Sequence, residues 1–132
     1  GIMIRPIGPI NSGNASGGSG AATNNNSTDQ VIQGKLLAAY VKYNDSPPST
    51  TDVVIKTLGT ENGSPPSTTL LTLTNKNTSG WFYPRVTPDD QLGVDLTTLT
   101  VLEPVPFVGK LNVSIAQADD NDNVDVWLLI ED

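Results

Sequence analysis

The chain contains neither cysteine nor histidine. That fact removes disulfides, thiolate nucleophiles, imidazole bases and the common zinc sites together. A catalytic set would have to come from Asp, Glu, Ser, Thr, Lys or Tyr. Paired carboxylates can hydrolyse glycosides, and the candidates are Asp89 with Asp90 and the run Asp119, Asp120 and Asp122. All of them lie between predicted strands beside Asn, Pro or Gly, where aspartate ends a strand and makes an Asx-type turn. No G-x-S-x-G, S-x-x-K or Gly-rich phosphate loop is present. The residues argue against an enzyme and call for no cofactor.

Metal ligation has one trace. Asp119, Asn121, Asn123 and Asp125 alternate like the first ligands of a calcium loop. The sixth position of that loop is Val124 where glycine is required, and the twelfth is Ile130 where glutamate is required. The segment 117–123 reads as an acidic hairpin turn, and no metal is expected.

Two groups of side chains could bind a partner. Trp81, Phe82 and Tyr83 are consecutive, so a strand places Trp81 and Tyr83 opposite Phe82. Such aromatics could stack on a sugar or fill a protein contact, and Pro84 behind them marks an edge strand or a bulge. With Arg85 they form the candidate contact on the body. The other group is Ile2, Met3, Ile4, Ile7 and Ile10, an apolar tip at the start of the chain.

The elements that must position these residues come in three zones. Residues 1–10 are apolar and proline-containing, and 11–29 (NSGNASGGSGAATNNNSTD) carry no large apolar side chain. Such a segment cannot bury enough surface to offset its own ordering entropy. Residues 1–30 are therefore expected to form an extended arm, outside a folded domain at 31–132, that becomes ordered by docking its isoleucines on a partner.

Period-two alternation rich in Val, Ile, Thr and aromatics marks strands at 34–43, 52–58, 68–74, 80–86, 110–117 and 123–131, with shorter ones within 92–102 and at 105–108. In the first of these, Leu37, Ala39, Val41 and Tyr43 are expected on one face. Turn-rich stretches separate the strands, and no segment has a capped helical period. The expected fold is all-β, an antiparallel β-sandwich or jelly roll with an extended N-terminal arm. The hexapeptide SPPSTT occurs at 46–51 and again at 64–69. It reads as a duplicated entry into a strand, or as two neighbouring loops at one end of the sandwich that make a contact surface.

The formal charge is −7, and the seven basic residues are scattered. An acidic surface without a basic patch argues against nucleic acid and anionic membranes as partners. No apolar run reaches bilayer-spanning length, and GIMIRPIGPI lacks the pattern of a signal peptide.

The stretch from Gly34 to Glu131 resembles the small capsid cement, or decoration, proteins of tailed bacteriophages. The blocks TNKNTSGWFYPR at 74–85 and LNVSIAQA at 111–118 carry the likeness, with GKLLAAYVKY, TDVVIKT and VDVWLLIE around them. The resemblance implies a β-sandwich on the outer surface of a virion. It implies a homotrimer that bridges neighbouring major capsid protein subunits and stabilises the shell. A carbohydrate-binding or adhesin-type module is the alternative from a different class.

Overall fold

The computed structural model describes residues 3–59, 63–96 and 102–132. Eight strands are present: β1 (Ile4–Asn11), β2 (Ala22–Ser27), β3 (Ile32–Asn44), β4 (Asp52–Leu58), β5 (Thr69–Leu73), β6 (Gly80–Phe82), β7 (Val105–Ala118) and β8 (Asn123–Glu131). All pair antiparallel, in the order β1-β8-β3-β7-β4-β5, with β2 also on β7 and β6 also on β3. The fold is all-β and antiparallel.

One strand turns this single hydrogen-bonded sheet into a sandwich. The first part of β7, Val105–Gly109, pairs with Ile32–Leu36 of β3. The second part, Lys110–Ala118, pairs with β4 on one side and β2 on the other. Strands 105–108 and 110–117, separate in the sequence reading, are thus one strand that changes sheets. Gly109 stands at the change with φ of 151°, and a Cβ there would lie 3.0 Å from Thr57 Cβ. A corner of this kind needs a residue without a side chain.

The two layers are then β1, β8, β3 and β6 against β2, β7, β4 and β5. Inward-facing residues alternate along each strand and meet in one core. Val124, Val126, Leu128 and Ile130 of β8 face Leu111, Val113 and Ile115 of β7 and Val53 and Ile55 of β4, all fully buried. At about 25 cal/mol per Å² of apolar area removed from water, this row of aliphatics is the main stabilising term. In β3 the buried set is Leu36, Ala38, Ala39 and Val41, with Leu37 only half-buried. A bulge between Leu36 and Ala38 shifts the register by one and displaces the expected Leu37. The strand expected within 92–102 is replaced, over 92–96, by a turn and one isolated bridge, Asp89 with Asp95. Its remainder, 97–101, lies outside the described residues.

The N-terminal segment corrects the expectation of an arm at 1–30. β1 runs along β8, and Ile7 and Ile10 pack against the core. Ser12 N donates to Val124 O, Ala15 N to Asp122 O, and Asn121 N to Ala15 O. Ala15 and Ala22 are buried among the core residues. β2 lies on β7, and its side chains reach back: Asn24 Nδ2 donates to Ser12 O at 2.8 Å and Asn26 Nδ2 to Asn11 O at 3.2 Å. The Asn- and Gly-rich stretch lacks apolar bulk, but its order comes from ladder hydrogen bonds and side-chain amides, which a count of large apolar residues overlooks. The folded module therefore includes residues 4–27.

The SPPSTT copies also separate. Thr51, at the start of β4, is buried and donates through both N and Oγ1 to Pro48 O. The second copy reaches the far end of β4, where Thr68 N donates to Thr57 Oγ1. The two loops sit at opposite ends of β4, so they do not form one contact surface.

Candidate binding surface

The outward row of the first layer carries the feature that burial does not explain. Tyr40 of β3 stands directly opposite Trp127 of β8 on one side and Trp81 of β6 on the other. The Tyr40 ring lies 5.2 Å from that of Trp81 at 55° and 5.9 Å from that of Trp127 at 51°. This is a three-strand aromatic ladder built from cross-strand neighbours. Pro6 of β1 and Leu129 of β8, themselves opposite each other, extend it. These five residues line a shallow groove of about 330 Å³.

The period of two makes this surface. Val124, Val126, Leu128 and Ile130 point inward, so Asp125, Trp127 and Leu129 must point outward. Trp81 is 48% exposed. Its neighbour Phe82 turns inward against the core and has Lys76 Nζ 5.5 Å from its ring centre. Met3 and Ile4, at 67% and 60% exposed, lie at the far corner of β1, where Ile4 shares the outward phase of Pro6 and pairs with Glu131.

Of the residues singled out in the sequence, the structure brings Trp81 into this groove and leaves Tyr83 exposed beyond the end of β6. Arg85 Nη1 donates to Leu37 O at 2.9 Å and to Pro84 O at 2.7 Å, which fastens the chain after β6 to β3. Met3 and Ile4 are accessible; Ile7 and Ile10 are not free to bind a partner, because they pack on their own core. Ile2 lies outside the described residues. Sequence reasoning missed Tyr40, Trp127 and Leu129. The signal for two of them was legible: a tryptophan and a leucine on the polar-phase face of β8 have no core to fill.

The acidic clusters serve the fold. Asp122 is buried, and its Oδ2 accepts from Asp119 N at 2.8 Å; Asp119 Oδ1 accepts from Gly20 N at 2.8 Å and Ser19 Oγ at 3.1 Å. Asp125 accepts from Asn11 Nδ2 and Asn44 Nδ2, at 2.9 and 3.1 Å. Among the described residues no group of three or more acidic side chains is placed to hold a metal ion. Asp89 and Asp90 lie on an exposed turn. A hydrogen bond with Asp95, with smaller contributions from desolvation and from the charges of Asp95, Asp90 and Glu103, raises the Asp89 carboxyl above the ordinary range.

No protein-family model, no curated protein and no solved structure matches this chain.

Proposed function

We propose that this protein is a virion structural protein of the capsid decoration type. In this reading it binds the outer surface of the shell as a homotrimer and bridges neighbouring major capsid protein subunits. The observation that carries it is the apolar row across the first layer, Ile4, Pro6, Leu129, Trp127, Tyr40 and Trp81, with the exposed side chains of Met3 and Tyr83 close by along the chain at its two ends. Contiguous apolar side chains open to water mark an interaction site. A bridging protein needs at least two contacts, and the strip has two ends. The Met3 and Ile4 corner is assigned to the capsid protein. The aromatic end, with Trp81, Tyr83 and Arg85, is assigned to a contact between subunits. The resemblance of residues 74–85 and 111–118 to decoration proteins supports the same reading.

The test is co-sedimentation with shells assembled from the major capsid protein of the same virus. Wild-type chain is expected to pellet with the shells, and Ile4→Asp with Met3→Asp to remain in the supernatant while keeping its β-rich circular dichroism. Equal pelleting of the double variant would defeat the assignment of this corner.

A sugar-binding module is the second reading, favoured by the half-exposed Trp81 within an aromatic ladder. Sugar platforms present rings roughly parallel to a pyranose with polar groups beside them. Here the rings are tilted by more than 50° and the groove lining is apolar. A glycan array distinguishes the two readings: binding abolished by Trp81→Ala would favour the sugar.

A further inference from the structure

The segment between β6 and β7 is another place, among the described residues, where large apolar side chains are exposed. It leaves the sheet after Tyr83 and is clamped at its base by two hydrogen bonds, Val86 N to Glu103 O at 2.8 Å and Glu103 N to Val86 O at 2.9 Å. Beyond this clamp, Asp90 organises a turn. Its Oδ1 accepts from Leu92 N at 2.9 Å and Val94 N at 3.0 Å, and its backbone N donates to Val94 O at 2.8 Å. The turn therefore has a defined shape, yet it holds Leu92 at 82% exposure and Val94 at 58%. Among the described residues, neither Leu92 nor Val94 belongs to the core.

The turn carries one sign of charge, whereas the rim of the groove is mixed, with Lys42 and Arg85 exposed beside the aromatic rings. From Val86 to Gly109 the sequence has four carboxylates, Asp89, Asp90, Asp95 and Glu103, and no basic residue. Four of the seven basic residues, Arg5, Lys35, Lys42 and Arg85, belong to β1, to β3 or to the chain fastened against β3; Arg5 is ion-paired with Asp132, and Lys35 stands opposite Glu131. Lys42 is exposed and follows Tyr40 by two residues, hence on the same outward row; Arg85 is exposed and bonded to Leu37 O. Asp125, opposite Lys42 in that row, is engaged by the amides of Asn11 and Asn44. The groove thus offers an apolar floor with cations beside it, and the turn offers an apolar tip with carboxylates beside it.

We propose that the groove of Pro6, Tyr40, Trp81, Trp127 and Leu129 takes the Leu92 turn of a second copy of this chain. Each copy then contributes a groove on one side and a turn on the other. Such a contact is heterologous, and it closes into a ring when the rotation between copies allows. Burying Leu92 and the indole of Trp81 supplies the apolar term. Lys42 and Arg85 facing Asp89, Asp90 and Asp95 orient the approach. This specifies the contact between subunits put forward above, but its test needs no capsid. A failure here leaves the particle-binding reading standing, and the reverse also holds.

The experiment is light scattering of the full chain over a concentration series, with circular dichroism on every variant. Wild type is expected to associate as concentration rises, with a blue shift of tryptophan emission as Trp81 leaves water. Leu92→Asp and Trp81→Asp are each expected to stay monomeric with unchanged dichroism. Lys42→Glu, a charge change on an exposed residue, is expected to associate more weakly than wild type. Mixing Leu92→Asp with Trp81→Asp is the decisive arm. The first variant keeps an intact groove and the second an intact turn, so the mixture is expected to form one-to-one pairs and nothing larger. A wild type that is monomeric at every concentration would overturn the proposal. So would association of Leu92→Asp at wild-type strength, or a mixture that stays monomeric.

Discussion

At the scale of single residues, Tyr43 keeps a polar atom in a costly place. Its hydroxyl is buried and has no hydrogen-bond partner, and burial together with the charge of Asp52 raises its pKa from 10.0 to about 12. The folded chain therefore holds the phenolic proton over a range where the unfolded chain has already released it. Stability is expected to fall as pH rises from about 10 to about 12. Ultraviolet titration of the phenol checks the pKa, and urea unfolding at several alkaline pH values checks the slope. Tyr43→Phe is expected to remove that slope. Because it deletes a buried hydroxyl without a partner, it is also expected to leave neutral-pH stability unchanged or raise it by about 1 kcal/mol. Loss of stability on this substitution would mean that the hydroxyl has a partner in solution. At this scale the sequence was informative about type and blind to environment: Tyr43 was expected on one face with Ala39 and Val41, and nothing in its neighbours along the chain indicated an unsatisfied hydroxyl.

Elements show which side chains the register tolerates. Gly34 lies opposite Phe107 where β3 meets β7, with φ of 142°; a Cβ there would sit 2.5 Å from Ile130 Cγ2 and 2.7 Å from Glu131 O. Gly34→Ala is expected to cost about 1–3 kcal/mol, since neither the backbone angle nor the space accommodates it. A chemical denaturation curve measures this, and a change under about half a kcal/mol would show that β3 can shift at that point. The N-terminal strands give a larger effect. Removing residues 1–29 strips the partner from the outer edge of β8 and the β2 edge from β7, and opens the core at Ile7, Ile10, Ala15 and Ala22. A truncated chain is expected to melt at a clearly lower temperature or to fail to fold, and amide exchange in β8 is expected to rise. An unchanged melting temperature would mean that these strands dock only weakly. This expectation reverses the one drawn from composition, where the arm was dispensable to the body.

Over the whole molecule, stability rests on one core shared by both layers. Ile115 is fully buried in the second part of β7, which pairs with β4 and β2 at once. Ile115→Ala is expected to cost about 2–5 kcal/mol by transfer and cavity terms. Thermal melts followed at several wavelengths would show both layers lost together; separate transitions would contradict a single core. The net charge of −7 sits on this core as a largely acidic exterior. It favours solubility, and among the described residues the aromatic strip and the Leu92 turn depart from that character.

Several features were determined by the sequence alone, because they depend only on local chemistry. The alternation in β4, β7 and β8 follows from side chains pointing to opposite faces in turn, so their inner and outer rows could be assigned before any pairing was known. The absence of cysteine and histidine narrows the chemistry in the same way. The tertiary structure decided what depends on distant partners. The bulge after Leu36 inverted the face of Leu37, Gly109 joined two apparent strands across a corner, and Val124 and Ile115 supplied the carbonyls that drew Ser12 and Thr23 into the fold. Trp81 was visible as an aromatic on an edge. Its place in a ladder with Tyr40 and Trp127 came from pairing β3 with strands 40 and more residues away, which no local pattern encodes.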